Sequence, residues 1–299
     1  NTFAIGCLVQ FYEIDIIEDY LKSVKYSLEN VENKDNVLVD ICLNCNEGLE
    51  ELDRKKMDMK KIIGMLSNMI NKHLPMATFK VNHKDIYTIA DYRREFNDRY
   101  CEEVDVLMWG ESDSLIPRQT WEVLDNLHTA SVNNNVHKYV SFFATCKMWD
   151  DTWKILEHPE FTDKPFIEMD TKNWWSLRYN MNIDEMNAFN DKVEELDVQT
   201  TTQLKFNGCG LVISSDVIKS GVNIPRSSFF IHEDTAFMNN CLIMFRGKLP
   251  QYIIKNILLV HNRKHTKKRS YILGEDDIDP GDVGSARKVH DWYTKANQL

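Results

Sequence analysis

The chain has 299 residues, 46 acidic against 36 basic side chains, a formal net charge of −10 and 43% hydrophobic content. That length and apolar share suffice for a large core in one domain or two, and the negative charge excludes general affinity for nucleic acid or anionic membranes. Seven irregularly spaced cysteines argue against a disulfide framework and for a reducing compartment. No signal-peptide pattern is read, and no apolar run approaches the roughly 18–20 residues of a membrane span, so the expectation is a soluble cytoplasmic protein, in the host cytoplasm if viral.

Phe3 to Tyr12 is a continuous apolar run, the mark of a strand buried on both faces. Ile14, Ile17, Leu21, Val24, Leu28 and Val31 then recur at three- and four-residue steps, which predicts an amphipathic helix. Val37–Asn44 repeats the strand signal, and the charged stretch Glu50 to His73 predicts a second helix. Ala77–Val81 is a short third strand, followed by a helix over Ile86 to Tyr100. Strands alternating with helices imply βαβ crossovers and a mainly parallel sheet.

Val104 to Gly110 is the fourth strand, and it ends abruptly in Glu111-Ser112-Asp113. Pro117 suits the first turn of the next helix, which carries Trp121, Leu124 and Leu127 inward and ends at Asn133–Asn135; Tyr139–Thr145 is a further strand. From Trp149 to about Thr202 the pattern is aromatic, acidic and irregular, reading as a small subdomain or long insertion with a helix from Ile183 to Leu196. Leu211–Ile213 is apolar after Asn207-Gly-Cys-Gly210, a helix opens at Ile231–Met238, and Gly274 begins a tail.

An E-x-D at a strand end offers the hard oxygen ligands that Mg²⁺ or Mn²⁺ require, commonly shared with substrate phosphates. Asp113 or Ser114 equally serves as the cap of a helix beginning near Pro117. Cys42-Leu-Asn-Cys45 is the sole CxxC; with no second pair or His-rich partner it reads as small apolar residues ending a strand rather than a redox or zinc motif. Ligands of open α/β sheets gather at the carboxyl ends of the strands, where Glu111 and Asp113 fall.

The order of strand, helix, strand, Arg-bearing helix and strand-ending acidic pair followed by Leu-Ile-Pro resembles the GT-A glycosyltransferases, especially the family-2-like nucleotide-sugar transferases. Ala90–Asn97 is similar to that group's Ala-Arg-Asn helix, Glu111-Ser-Asp113 to its D-x-D with Glu leading, and Asn207–Leu211 to its glycine-containing loop. His232-Glu-Asp234 resembles the x-E-D motif, and Val260-His261 the C-terminal metal histidine, with His265 competing for the role.

The resemblance implies an α/β GT-A (Rossmann-like) fold: a mostly parallel central sheet flanked by helices, with an insertion and a C-terminal extension. Residues 1–148 form the donor-binding half, 149–273 the acceptor-side half and 274–299 a tail. It implies a metal-dependent transferase moving one sugar, with inversion, from a nucleoside diphosphate sugar, UDP-sugars first, to an acceptor hydroxyl. Asp113, Glu111 and His261 would hold Mn²⁺ or Mg²⁺, and Asp234 would be the general base supported by Glu233. Gln10, Phe11, Tyr12 and Asn44 would lie near the base, and Arg93, Arg94, Ser112, Gly208, Arg263 and Lys268 at the donor.

Asn44-Cys-Asn46-Glu47 replaces the Asp that often reads the nucleobase, and neither a Q-x-x-R-W motif nor a membrane helix is present, which favours single-sugar transfer over processive synthesis. The acceptor class is a glycan, small molecule, protein or modified nucleic-acid base; Trp149, Trp153, Trp174 and Trp175 read as subdomain packing or a stacking platform. A transferase acting on a hydroxymethylated base of viral DNA is the sharper alternative, resting on the basic cluster Arg263–Arg269. The rivals are a nucleotidyltransferase, whose Gly- and Lys-containing loop after the first strand is missing here, and a non-catalytic carbohydrate-binding scaffold.

Overall fold

The structure, a computed structural model, describes residues 1–45, 58–84, 87–145, 181–202, 208–228 and 233–261, together with four two-residue strands between 148 and 178. The chain runs β1 (Phe3–Gln10), α1 (Ile17–Ser27), β2 (Val37–Asn44), α2 (Met59–His73), β3 (Thr78–Asn82), α3 (Ile89–Tyr100), β4 (Val106–Trp109), β5 (Ser114–Leu115), α4 (Thr120–Asn133) and β6 (Val140–Ala144). Met148–Trp149 (β7) pairs with Ile155–Leu156 (β8), and Lys164–Pro165 (β9) with Leu177–Arg178 (β10), both antiparallel. Then follow α5 (Ile183–Asn190), β11 (Val198–Thr201), β12 (Val212–Ser214), α6 (Ser215–Lys219), α7 (Glu233–Met244), β13 (Gln251–Leu258) and β14 (Val260–His261).

Eight strands form one sheet in the order β11-β13-β6-β12-β4-β1-β2-β3. β1, β2, β3 and β4 pair in parallel, as do β6 and β13, whereas β12 and β11 run against their neighbours. The mainly parallel sheet expected from alternating strands and helices is therefore present, with two reversals on the β4-distal side. The fourth strand, Val106–Trp109, is shorter than the sequence run suggests.

Alternation of side chains along each strand feeds two cores, one on each face. On β1, Phe3, Ile5, Cys7 and Val9 pack with Ile17, Tyr20 and Leu21 of α1, Ile62 and Leu66 of α2 and Trp121 of α4. Ala4 and Leu8 point oppositely, toward Tyr92 and Phe96 of α3 and Phe237 of α7.

α5 ends at Asn190, well short of Leu196, and the Asn190 side chain reaches across to β13. Its Nδ2 donates to the Leu258 carbonyl at 2.9 Å and its Oδ1 accepts from the Leu258 N–H at 2.8 Å. That contact holds the end of β13 where its register against β6 shifts between Ile254 and Leu258. Among the described residues no helix is long and apolar enough to cross a membrane.

Candidate functional site at the carboxyl end of the fourth strand

β4 delivers its chain end to the sheet rim through Gly110, whose N–H donates to the Gly6 carbonyl at 2.7 Å. The Tyr20 hydroxyl occupies the space a Cβ would need, so only glycine lets the chain turn here. The Glu111 carbonyl then accepts from the Ser114 N–H at 3.0 Å and the Ser114 hydroxyl at 2.8 Å, closing a tight turn around Ser112 and Asp113. Ser112 and Asp113 are buried.

The turn hands the chain to β5, which pairs antiparallel with β14 in the register Ser114 to His261 and Leu115 to Val260. This pairing carries His261 to the acidic pair: its Nε2 is 3.3 Å from Asp113 Oδ1 and 3.5 Å from Glu111 Oε2. Asp113 and Ser114 are not helix caps. α4 starts six residues after Ser114, its N-cap is Gln119 without a side-chain bond, and Pro117 precedes the helix with its carbonyl accepting from the Thr120 N–H.

Arg93 is the second organising group. α3 begins on a capping box in which Thr88 and Asp91 exchange side-chain and backbone bonds, and this fixes the helix phase that turns Arg93 inward. Arg93 is 2% exposed. Its guanidinium lies 4.6 Å from the Trp109 ring centroid, ion-pairs with Glu233, donates to Glu111 Oε1 at 2.8 Å and reaches the Gly208 carbonyl at 3.3 Å. Trp109 is braced on its other sides by Phe237, centroids 5.3 Å apart, and by Asn97, whose Oδ1 accepts from the indole N–H at 2.9 Å.

Burial works against the Arg93 cation, but the carboxylates of Glu233 and Glu111 outweigh it and hold its pKa above the usual value. Glu233 moves the other way for a carboxylate. Burial pushes it up to about 7, Arg93 opposes that rise, and the neighbouring Asp234 adds to it.

Glu233 and Asp234 open α7, where the free backbone N–H groups and the helix dipole favour acidic residues. Asp234 Oδ1 accepts from the Thr235 N–H at 2.7 Å. Asp234 Oδ2 lies only 2.5 Å from where a Cβ on Gly208 would stand, so glycine at 208 is what lets this loop lie against the start of α7.

The remaining donor-side residues divide. Gln10, Asn44 and Asn82 end the adjacent strands β1, β2 and β3 in register and form an amide chain: Asn44 Nδ2 donates to Gln10 Oε1 at 3.1 Å, and Asn82 Nδ2 donates to Asn44 Oδ1 at 3.1 Å. Phe11 is buried in the core beneath them. Arg94 faces away from Arg93, its guanidinium donating to the carbonyls of Ile224, Pro225 and Ser228 and pairing with Asp91. The side chains of Tyr12, Trp149, Trp153, Trp174 and Trp175, and residues Asn46, Glu47, Asn207, His232, Arg263, His265 and Lys268 with the tail, lie outside the described residues.

Neither a family model nor a curated protein matches the sequence. In fold the chain is similar to S. aureus TarS residues 1–349, with a TM-score of 0.53 and 10% identity over 93% of this chain and 67% of that one. It is similar also to a longer S. aureus TarS structure, with a TM-score of 0.50 and 10% identity over 99% of this chain and 43% of that one. The fold is GT-A-like, a mostly parallel central sheet flanked by helices. A weaker likeness, at a TM-score of 0.48 and 10% identity over 90% of this chain and 60% of that one, is to the mannosyltransferase PcManGT from Pyrobaculum calidifontis in complex with GDP-Man and Mn²⁺.

In this GT-A-like chain the rim of the sheet offers a donor set that fits a divalent cation. Ligand atoms of Glu111, Cys209 and His261 all lie within 4.8 Å of one another, and Asp113 touches the same imidazole. Two carboxylates converging on one imidazole carry more negative charge than Arg93 alone offsets; the carboxylate oxygens suit Mn²⁺ or Mg²⁺, and the imidazole suits transition-metal ions.

Two residues that sequence reasoning left without a role sit here. Cys209 lies inside the noted Gly-Cys-Gly loop, and Asn82 ends its strand in the same position as Asn44 and Gln10, an amide repeat visible once the three strands are aligned. The CxxC thiols are buried, and desolvation pushes Cys42 up to about 12 and Cys45 up to about 11, which suits inert core residues.

Proposed function

We propose that this chain is a glycosyltransferase that moves a single sugar from a nucleoside diphosphate sugar, a UDP-sugar in the first instance, to an acceptor hydroxyl with inversion. The observation that carries the reading is the meeting of Glu111, Asp113, His261, Arg93 and the Gly208–Asp234 contact at the carboxyl end of β4, from five separate stretches of sequence, on a GT-A-like scaffold. Glu111, Asp113 and His261 would hold Mn²⁺ or Mg²⁺. When bound, such an ion neutralises charge on a departing diphosphate.

Asp234 takes the proton from the attacking acceptor hydroxyl. Its Oδ1 is already fixed by the Thr235 N–H, which holds the carboxylate in one orientation. Glu233 acts through Arg93: the buried ion pair ties the first turn of α7 to α3, and so sets where Asp234 stands relative to Glu111. Gln10, Asn44 and Asn82 present amide donors and acceptors to the edge of the donor's base.

Exchange of Asp234 for Asn keeps the shape and removes the base. Turnover should fall by about 10²–10⁴-fold while calorimetric donor affinity stays near wild type. Near-normal turnover in D234N would remove Asp234 from the role.

A further inference from the structure

We propose that Cys209 is a metal ligand, so that the cation site combines a thiolate with imidazole and carboxylate donors and prefers thiophilic divalent ions such as Co²⁺, Zn²⁺ or Cd²⁺ to Mg²⁺. The proposal rests on Glu111 and His261 acting as ligands, as above.

Cys209 reaches the site through backbone pairing. The Gly210 N–H donates to the Trp109 carbonyl at 3.0 Å and the Trp109 N–H donates to the Leu211 carbonyl at 2.9 Å, which lays residue 209 beside the Gly110–Glu111 corner. Cys209 is 3% exposed, and its Sγ shares a 4.8 Å cluster with a Glu111 oxygen and a His261 ring nitrogen. In a tetrahedral site with ordinary zinc bond lengths the ligand atoms stand about 3.4–3.6 Å apart. The cluster therefore needs only a modest contraction on metal binding, within the reach of side-chain rotation.

The surroundings separate this thiol from the others described. Cys42, Cys45 and Cys241 are buried among apolar side chains, where desolvation raises their pKa, and Cys209 also borders the apolar core. Cys209 is the cysteine that the described residues group with a histidine and a carboxylate. A soft sulfur donor adds little for Mg²⁺ and much for Co²⁺, Zn²⁺ or Cd²⁺. Binding releases the thiol proton to solvent.

The test is titration of the metal-free protein with Co²⁺ in a thiol-free buffer, read by absorption spectroscopy. The expected spectrum has visible d–d bands and a near-ultraviolet sulfur-to-cobalt charge-transfer band. In C209S the charge-transfer band disappears while the d–d bands persist, and Co²⁺ affinity drops by at least about tenfold, since even outer-shell changes at metal sites typically cost 10–100-fold. C209A, checked for native circular dichroism, serves as a second variant.

Stoichiometric d–d bands without charge transfer in the wild type, or a charge-transfer band that survives in C209S, overturn the role of Cys209 and leave the Glu111–His261 site standing. Absence of Co²⁺ uptake overturns both.

Discussion

Arg93 and Glu233 stand 140 residues apart in the sequence and form an ion pair inside the protein, with the same guanidinium donating to Glu111 at 2.8 Å. One cation therefore fastens α3, the end of β4 and the start of α7 together. Substitution of Arg93 by Met keeps the bulk over Trp109 but leaves Glu233 and Glu111 facing each other without compensation. Removing one partner of a buried pair costs about 3–5 kcal/mol, and chemical denaturation should register a loss of that order. Arg93→Lys keeps the charge without the planar fork, and should lie between.

Gly208→Ala places a methyl group 2.5 Å from Asp234 Oδ2. Overpacking of this kind costs about 1–3 kcal/mol, and the carboxylate must move to relieve it. We expect a lowered denaturation midpoint and a loss of turnover larger than the stability change explains, measured at a temperature where the variant remains folded.

His261 reaches the acidic pair through two residues of β14. A cation bound to the native state raises its stability by about 2.7 kcal/mol at a hundredfold excess over its dissociation constant. Thermal denaturation of the wild type should therefore shift upward with Mn²⁺, and H261A and D113N should lose most of that shift. An undiminished shift in both variants would place the metal elsewhere.

A second electrostatic contact is remote from the site. Glu18 of α1 accepts from His73 at 2.9 Å and Lys72 at 3.1 Å on α2, and these bonds, His73 first, hold its carboxyl down at about 2 against an ordinary 4.5. Because the folded value is the lower one, the stabilisation is present in full above the unfolded value and is withdrawn as pH falls from there toward 2. Glu18 is 37% exposed, so screening limits the effect to less than about 1 kcal/mol. E18Q should lower the denaturation midpoint slightly near neutral pH and match the wild type in acid.

The first four strands and their helices were legible because each signal is local. β1 and β2 are unbroken apolar runs, and α1 carries a clean three- and four-residue stripe. β13 was not, since Lys255 and Asn256 interrupt its apolar residues just where the register against β6 shifts. β5 and β14 are two residues each, too short for any period, yet their pairing is what joins His261 to Asp113.

At the site, residue types were legible and partnerships were not. Arg93 and Arg94 look alike in sequence, but the helix phase sends one under Glu111 and the other to the carbonyls of Ile224, Pro225 and Ser228. Asp113 and Ser114 read equally well as a helix cap until α4 proved to begin beyond Pro117. Cys209 carried no signal beyond its flanking glycines, because its neighbours come from β4 and β14.

The central claim is that the β4 rim holds a nucleoside diphosphate sugar together with a divalent cation. Isothermal titration of the metal-free protein with UDP-sugars and GDP-sugars, in the presence and absence of Mn²⁺, tests it most directly, with D113A as the comparison. Binding of a nucleoside diphosphate sugar should strengthen with Mn²⁺ and lose that dependence in D113A. Metal-independent binding, equal in the wild type and D113A, would contradict it.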